Sequence, residues 1–369
     1  MPTTSPFPEK VGTSANRHTS SGLAGRKAGR LGIAVIGCGY WGPNLLRNFS
    51  DHRDCRLVGV ADLNKDRLAW ALSRYPQIVA TPVIADLIDN PDVDAVAIAT
   101  PVHTHFELAL RCLRAGKHVL VEKPLCHRSD LGEQLVAEAA QRNLVLMVDH
   151  TFIYTPAVRK IRQLIDGGEL GELHYYDSAR INLGLVQSDV NVLWDLAVHD
   201  LSIIQFLFPE TPVSVSATGV SHISGRPETI AYLTLHYASG LIAHCHVNWL
   251  SPVKVRRTLI GGSRKMIVYD DVEPTEKVRI YDSGVNVAPA NGAAKGEPDY
   301  RLLIDYRKGD ISIPHLDGKE ALHVEVDHFV DCIRHQRTPL SDGKQGLRLV
   351  RVLEAAQQSL QLKGQPIEL

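Results

Sequence analysis

Two short segments of the 369-residue sequence carry side chains suited to acid–base chemistry. In Glu122-Lys123-Pro124, the lysine could hydrogen-bond a substrate hydroxyl and lower its pKa through its positive charge. Asp195 and His199 are four positions apart, so on a helix they would share one face, in a common general-base arrangement. The alternative for Lys123 is a solvated loop lysine. For Asp195 and His199 it is a helix cap and a packed histidine.

Lys123 directly follows one strand of a repeated β-α-β pattern. The predicted strands are 33–36, 56–61, 95–99, 119–121 and 144–148, alternating with predicted helices 43–49, 65–75, 105–115 and 131–142. Strands that alternate with helices indicate a doubly wound parallel sheet, in an α/β fold. Ligands bind such sheets at the carboxyl ends of the strands, where Lys123 is expected.

Three glycines follow the first of these strands at the spacing G-x-G-x-x-G. Gly37 can adopt a tight turn, Gly39 lets a pyrophosphate approach the backbone, and Gly42 lets the next helix pack close to the strand. The free N–H groups at the start of that helix would then face the phosphates. A glycine-rich turn is weak evidence alone, so its meaning depends on its surroundings.

Asp62 ends the second predicted strand, about 20 residues after the glycines, where an acidic side chain accepts hydrogen bonds from the adenosine ribose of NAD. The alternative is a helix-capping aspartate. A carboxylate here would repel the 2′-phosphate of NADP, which favours NAD as the cofactor. Arg67 softens that preference.

The second half of the chain has a different pattern. Predicted strands at 173–182, 213–220, 230–237, 241–249, 254–260 and 265–269 follow one another closely, with helices at 155–165, 195–208, 324–335 and 344–362 and a loop at 285–299. Closely spaced strands with glycine-containing turns indicate a large, mainly antiparallel open sheet. We therefore predict a Rossmann domain at 31–150, a substrate and oligomerisation domain at 151–323 and C-terminal helices at 324–369.

Composition excludes several classes of protein. Hydrophobic residues make up 44% and charged residues 22%, and the net charge of -1 favours neither nucleic acid nor an anionic membrane. No apolar run reaches the about 20 residues that span a bilayer. Six scattered cysteines without C-x-x-C spacing indicate reduced thiols in a cytoplasmic protein. Residues 1–30 read as a disordered basic tail; a transit peptide stays open, and a secretory signal is excluded because no apolar segment is present.

Further polar residues could line the same pocket. Thr100 and Pro101 follow a predicted strand and would lie against the cofactor, with His105 close behind them as a cap or core residue. Around the His199 helix, the candidates for substrate binding are Arg180, Asn182, Asn191 and Trp194. No third ligand accompanies Asp195 and His199, so we expect no metal site.

The sequence resembles the Gfo/Idh/MocA family of NAD(P)-dependent sugar and inositol oxidoreductases. The motifs that carry the resemblance follow one another in this order: the glycine turn, Asp62, Thr100-Pro101 with His105, the run from Ala115 through Glu122-Lys123-Pro124, and Asp195 with His199. The resemblance covers nearly everything from Leu31 onward. Gly-Tyr-Trp-Gly-Pro-Asn and the stretch from Asn182 to Asp195 resemble the branch that acts on nucleotide-linked sugars at C3, such as UDP-N-acetylglucosaminuronate 3-dehydrogenases.

The resemblance implies roles for individual residues. Cofactor binding is implied for Gly37, Gly39, Tyr40, Trp41, Gly42, Asp62, Thr100, Pro101, His105, Glu122 and Lys123. Lys123 would be the catalytic lysine, and Asp195 and His199 the D-x-x-x-H pair. It also implies C-terminal helices that return towards the Rossmann domain, and a homodimer or homotetramer formed through the second sheet.

Two other functions stay open at this point. One is a glycoside hydrolase that uses tightly held NAD for transient oxidation, as some relatives of this family do. The other is a non-catalytic NAD-binding regulator, although a pure sensor needs none of Lys123, Asp195 and His199.

Overall fold

The computed structural model describes residues 29–184, 186–187, 190–288 and 303–369. The predicted tail at 1–30 lies almost entirely outside these residues. The described residues divide into two compact units, those within 29–154 and 319–351, and those within 155–318 and 352–369. None of the helices in the described ranges is long and apolar enough to cross a membrane.

The elements of the first unit follow the β-α-β pattern. In chain order they are β1 (Leu31–Ile36), α1 (Gly42–Asp51), β2 (Cys55–Ala61), α2 (Lys65–Arg74), β3 (Val79–Thr81), α3 (Ala85–Ile88), β4 (Ala95–Ile98), α4 (Val102–Arg114), β5 (His118–Glu122), α5 (Ser129–Gln141) and β6 (Leu146–Asp149), with a 3-10 turn at Thr151–Tyr154.

The remaining elements start at residue 156. In chain order they are α6 (Pro156–Asp166), β7 (Leu173–Leu183), a π-helical turn (Leu193–Ala197), α7 (Val198–Leu207), β8 (Ser214–Val220), β9 (Ile230–His236), β10 (Ile242–Asn248), β11 (Leu250–Gly262), β12 (Met266–Asp270), β13 (Val278–Tyr281), β14 (Gly284–Ala288), β15 (Leu303–Arg307), β16 (Ile311–Ser312), α8 (Ala321–His335), α9 (Gly343–Gln361) and β17 (Ile367–Glu368).

The sheet of the first unit is parallel, with six described strands in the order β3-β2-β1-β4-β5-β6. Strand order reverses between β1 and β4, which creates the crevice where doubly wound folds bind ligands. Strand side chains such as Ile33, Val96 and Val121 are fully buried because helices cover both faces. Helix α8 belongs to this unit, where Phe329 packs edge-on against Phe49 of α1, with ring centroids 6.3 Å apart.

The sheet of the second unit is mixed, with nine described strands in the order β16-β13-β12-β11-β7-β10-β9-β8-β17. Only β7 and β10 pair in parallel among them; the other neighbours are antiparallel. The predicted fold class, a parallel Rossmann sheet with a mainly antiparallel second sheet, is confirmed.

Two predicted elements of the second half differ from the structure. The predicted helix 195–208 is a π-helical turn at Leu193–Ala197 followed by α7. The predicted loop 285–299 was wrong in its first part, because Gly284–Ala288 forms β14 and pairs with β15. Alternating Val285, Asn286 and Val287 can form a hairpin strand despite the small residues that follow. Residues 289–299 lie outside the described ranges.

Candidate active site

The glycine turn has the backbone geometry that its spacing predicts. Gly37 has φ +95°, and a Cβ there would lie 2.5 Å from the Ala99 carbonyl oxygen at the end of β4. A Cβ on Gly42 would lie 2.2 Å from the Gly37 carbonyl oxygen. Both positions therefore exclude any larger residue, and the turn is pressed against the switch point of the sheet.

The middle glycine has only the Arg67 side chain, and no described backbone beyond its chain neighbours, packed against it, which fits a bound pyrophosphate. The nearest atom to a Cβ placed on Gly39 is a guanidinium nitrogen of Arg67, at 3.5 Å, and no backbone atom lies within 4 Å. A phosphate could thus approach this backbone beside a cation. The residues present therefore fit a dinucleotide at the start of α1.

Asp62 is buried at the end of β2 and is hydrogen-bonded to the glycine turn itself. Its Oδ2 accepts the Cys38 N–H at 2.6 Å, and its Oδ1 accepts the Asn64 N–H at 2.8 Å. A guanidinium nitrogen of Arg67 lies 3.6 Å from Oδ2. These contacts fix the carboxylate beside the turn, which is the position that recognition of the adenosine ribose requires.

The two aromatic residues of the turn have different environments. Tyr40 is 87% exposed, whereas the Trp41 indole N–H donates to Asp149 Oδ2 at 2.6 Å. Asp149 ends β6 and also accepts the Thr151 hydroxyl at 2.5 Å. Sequence reasoning missed Asp149, because its link to Trp41 joins residues that are far apart in the chain.

Thr100, Pro101 and His105 lie where β4 passes into α4. The Thr100 hydroxyl is 2.6 Å from the Thr104 hydroxyl, and Pro101 immediately precedes the helix. The two ring nitrogens of His105 lie 2.9 Å from the Pro124 carbonyl oxygen and 2.8 Å from that of Thr100. Burial lowers the pKa of His105 to about 4, so the ring is neutral near pH 7 and donates its single N–H to one of these two carbonyl oxygens.

Lys123 lies directly after β5, at the carboxyl edge of the first sheet. The strand register pairs Glu122 with Asp149, so Lys123 and His150 occupy the next positions on β5 and β6. The Lys123 ammonium contributes to the lowered pKa of both His105 and His150. Lys123 is therefore an amine among neutral imidazoles at the ligand-binding edge, and the peptide bond to Pro124 is cis.

Asp195 lies within the π-helical turn and His199 in the first turn of α7. Asp195 Oδ2 accepts the indole N–H of Trp249 at 2.9 Å, and Trp249 is 1% exposed. His199 is partly exposed between the buried residues Val198 and Asp200. Sequence reasoning missed Trp249, which follows β10 and whose indole N–H fixes the Asp195 carboxylate.

Two of the predicted substrate-binding residues have partners within the second unit. Arg180 is buried and forms a two-point ion pair with Asp200, at 2.8 and 3.2 Å. The Asn191 amide donates to Glu228 and Gln357, and its Oδ1 accepts the Leu193 and Trp194 N–H groups at 3.1 and 3.3 Å. Asn191 therefore starts the π-helical turn.

The remaining two candidates, Asn182 and Trp194, are partly exposed, on β7 and in the π-helical turn respectively. Their positions leave side-chain surface available for a ligand. Among the residues that the structure describes, no three His, Cys, Asp or Glu side chains are grouped so as to hold a metal ion.

Comparison with known proteins identifies the family of this chain. The model of an oxidoreductase family with an NAD-binding Rossmann fold, Gfo/Idh/MocA, matches residues 31–150, and the C-terminal domain model of the same family matches residues 158–268. The chain belongs to the Gfo/Idh/MocA family. It is thus an NAD-binding oxidoreductase, similar to proteins named as sugar and inositol dehydrogenases.

Two relatives, and a solved structure of one of them, show how far the likeness extends. A UDP-N-acetylglucosamine 3-dehydrogenase of Acidithiobacillus ferrooxidans is 29% identical over 318 residues, covering 86% of this chain and 93% of the relative. An inositol 2-dehydrogenase of Rhizobium meliloti is 26% identical over 352 residues, covering 90% and 98%. A solved structure of the Acidithiobacillus enzyme superposes with a TM-score of 0.76 at 25% identity, covering 90% and 98%.

Proposed function

We propose that this protein is an NAD-dependent dehydrogenase or ketoreductase of a nucleotide-linked sugar, acting at C3. The observation that carries the proposal is Lys123, an amine at the carboxyl edge of the cofactor sheet where a reacting hydroxyl would be held. The substrate class is supported by the likeness to a UDP-N-acetylglucosamine 3-dehydrogenase over most of both chains.

The cofactor would be held by residues of the first unit. Gly37, Gly39 and Gly42 leave room for the pyrophosphate, and Asp62 would accept the ribose hydroxyls. Further contacts are proposed for Tyr40, Trp41, Thr100, Pro101, His105 and Glu122. When bound, NAD supplies the hydride acceptor for oxidation of the sugar carbon.

The chain's own residues would move the proton. In the oxidation direction, His199 takes the proton of the C3 hydroxyl, oriented by Asp195. Lys123 hydrogen-bonds the same oxygen and stabilises its developing negative charge. Arg180, Asn182, Asn191 and Trp194 are the proposed substrate-side residues. Arg180 and Asn191 would act by supporting the site, since their polar groups hold Asp200 and the π-helical turn.

NAD is the proposed cofactor form, because the buried Asp62 carboxylate would repel the 2′-phosphate of NADP. We expect NADH to bind more tightly than NADPH, as measured by titration of nicotinamide fluorescence. Asp62→Ala should narrow the difference between the two dissociation constants. Equal affinity of the unaltered protein for both would contradict this assignment.

The proposed activity is tested by screening UDP- and dTDP-sugars for a change in NADH absorbance, with free sugars and inositols as the comparison set. Net NADH formation with a nucleotide sugar is expected. A hydrolase with transient oxidation would release product without net NADH. Binding of NADH without turnover of any sugar would indicate a regulator.

We also propose a homodimer or homotetramer that forms through the second sheet, in the cytoplasm. Tyr232 is 44% exposed on β9 and stacks on the His246 ring, with centroids 4.5 Å apart, so part of this sheet presents aromatic surface. Six buried cysteine thiols agree with a reducing compartment. Light scattering should give a mass of two or four chains for the unaltered protein and a lower mass for Tyr232→Glu.

A further inference from the structure

A pair of buried carboxyl groups lies behind the glycine turn in the first unit. Asp149, at the end of β6, is 2% exposed, and Glu325, in α8, is fully buried. Both oxygens of Glu325 are buried and have no hydrogen-bond partner among the described residues while both carboxyl groups are ionised. A proton on one of the groups would turn the contact between Glu325 and Asp149 into a hydrogen bond, and this interaction contributes to the raised pKa of Glu325. Two touching carboxylates in a buried site cannot both ionise, so the pair carries one negative charge.

The proton belongs to Glu325. Burial raises the pKa of the Glu325 carboxyl well above its usual range, and the adjacent Asp149 adds to the increase. Burial also raises the pKa of Asp149, but hydrogen bonds from Thr151 and Trp41 oppose that rise. A neutral Glu325 that donates to an ionised Asp149 therefore satisfies both groups.

The ionised Asp149 in turn hydrogen-bonds to a side chain of the glycine turn. Its Oδ2 accepts the Trp41 indole N–H at 2.6 Å, while the Thr151 hydroxyl holds Oδ1 at 2.5 Å. Hydrogen bonds to an ionised acceptor are shorter and stronger than neutral ones. The carboxylate is thus held by three donors, one of which is the ring of a residue inside the turn.

Trp41 determines where α1 begins. Its carbonyl oxygen accepts the Asn44 N–H at 2.9 Å, and α1 has no side-chain hydrogen bond at this cap. The indole ring is therefore one anchor of the backbone between Gly39 and Gly42, in addition to the hydrogen bond from Cys38 N–H to Asp62 on the other side of the turn. The same backbone directs the N–H groups at the start of α1 towards a bound phosphate.

We propose that Glu325 is a positioning residue for cofactor binding, which acts through Asp149 and the Trp41 indole to hold the glycine turn in its binding conformation. This inference rests on the proposed role of that turn in holding NAD. The competing explanation is that the carboxyl pair only stabilises the packing of α8. The two explanations differ in what happens to NADH affinity in a protein that remains folded.

The experiment measures the NADH dissociation constant by fluorescence, without any sugar, together with the melting temperature. Glu325→Ala should raise the dissociation constant about tenfold, because the buried Asp149 loses its donor and Trp41 its fixed partner. Glu325→Gln, whose amide N–H can still donate to Asp149, should stay within about threefold of the unaltered protein.

The matched control is Tyr154→Phe. It removes another buried hydrogen bond of the same unit, from the Tyr154 hydroxyl to Ser341 Oγ at 3.0 Å, without touching the turn. This variant should melt earlier with an unchanged NADH dissociation constant. If Tyr154→Phe weakens NADH binding as much as Glu325→Ala does, the effect reports stability alone and the proposal is wrong.

A double-mutant cycle tests whether Glu325 affects NADH binding through Trp41. Trp41→Phe should itself weaken NADH binding several-fold, and adding Glu325→Ala to it should cause little further loss, since the link to the turn is already broken. Additive losses would overturn the proposal, as would unchanged affinity in Trp41→Phe if Glu325→Ala does not fold. A protein that binds NADH but oxidises no sugar contradicts only the proposed function.

Discussion

The two units hold their candidate functional residues in different ways. In the first unit, the turn from Gly37 to Gly42 and Lys123 lie at the ends of regular parallel strands. In the second, Asp195 lies in a π-helical turn, and Trp249, from the end of β10, holds its carboxylate. The glycine turn, which is the proposed cofactor site, is therefore encoded mainly in contiguous sequence and takes one distant partner at Trp41, whereas the carboxylate of Asp195, a proposed acid–base residue, is held by the distant Trp249.

The largest expected effect separates chemistry from binding. Lys123→Ala and His199→Ala should each lower kcat by about 100- to 10,000-fold, because one removes the stabilising cation and the other the proposed base. The NADH dissociation constant of His199→Ala should stay near that of the unaltered protein, and that of Lys123→Ala should change far less than its kcat. Steady-state kinetics and fluorescence titration measure the two quantities, and exposed Lys344→Ala is the control. Unaltered turnover in both variants would show that these residues are not the catalytic ones.

Gly37→Ala should abolish NADH binding and reduce the free energy of unfolding by about 2 kcal/mol or more. A Cβ there meets the Ala99 carbonyl oxygen at 2.5 Å, in a backbone conformation with φ +95°. Gly240→Ala is the matched control in the second unit, since its φ is +89° but nothing lies within 4 Å. It should cost about 1 kcal/mol and leave NADH binding intact. Similar losses of NADH affinity in both variants would contradict the local encoding of the cofactor site.

Trp249→Phe tests the long-range support of the second unit. It removes the N–H that donates to Asp195 while keeping an aromatic ring in the core, so kcat should fall about tenfold with unchanged NADH affinity. Trp70→Phe is the control, because Trp70 is 41% exposed in α2. If Trp249→Phe keeps full turnover, the indole contributes packing only.

The loss of unfolding free energy at acid pH should be the smallest of these effects, and it should arise in the first unit. Burial lowers the pKa of His118 to about 4, and its Nδ1 accepts the Val145 N–H at 2.9 Å. The unfolded state binds a proton near pH 6.5, so below that value unfolding takes up protons and the free energy of unfolding falls until pH reaches about 4. His105 behaves in the same direction.

Denaturant titrations at pH 7 and pH 5 measure this loss. His118→Asn keeps an acceptor for Val145 but cannot titrate, so it should lose about 1 kcal/mol less than the unaltered protein between these values. Exposed His174→Asn should not differ from the unaltered protein. The same pH dependence in all three proteins would place the acid-sensitive groups elsewhere.

Much of the first unit could be predicted because its sequence signals are local. Alternating strands and helices, the three glycines and Asp62 all follow from short stretches of sequence. The mainly antiparallel second sheet was also predictable from closely spaced strands. The partners of Trp41 and Asp195 were not, since they come from residues 108 and 54 positions away that carry no motif.

The π-helical turn shows a second limit of prediction. The apolar spacing from Leu193 to Leu207 fits a continuous helix, and only the Asn191 side chain, which caps Leu193 and Trp194, reveals the wider turn. Such a turn shifts the helical phase by one residue, but apolar residues predominate throughout this segment, so the shift leaves no mark in the hydrophobic pattern. Sequence periodicity therefore placed Asp195 on the right segment but not in its actual backbone conformation.

The division of the chain also determines when each unit can fold during synthesis. The described residues of each unit come from two separated segments, 29–154 with 319–351 and 155–318 with 352–369. On a ribosome, neither unit can be completed when its first segment emerges, because α8 and the strand at Ile367–Glu368 are made much later. Nascent chains stalled before residue 319 should consequently expose Phe49, Asp149 and the β8 edge to chaperones, and both halves should reach their final form almost together.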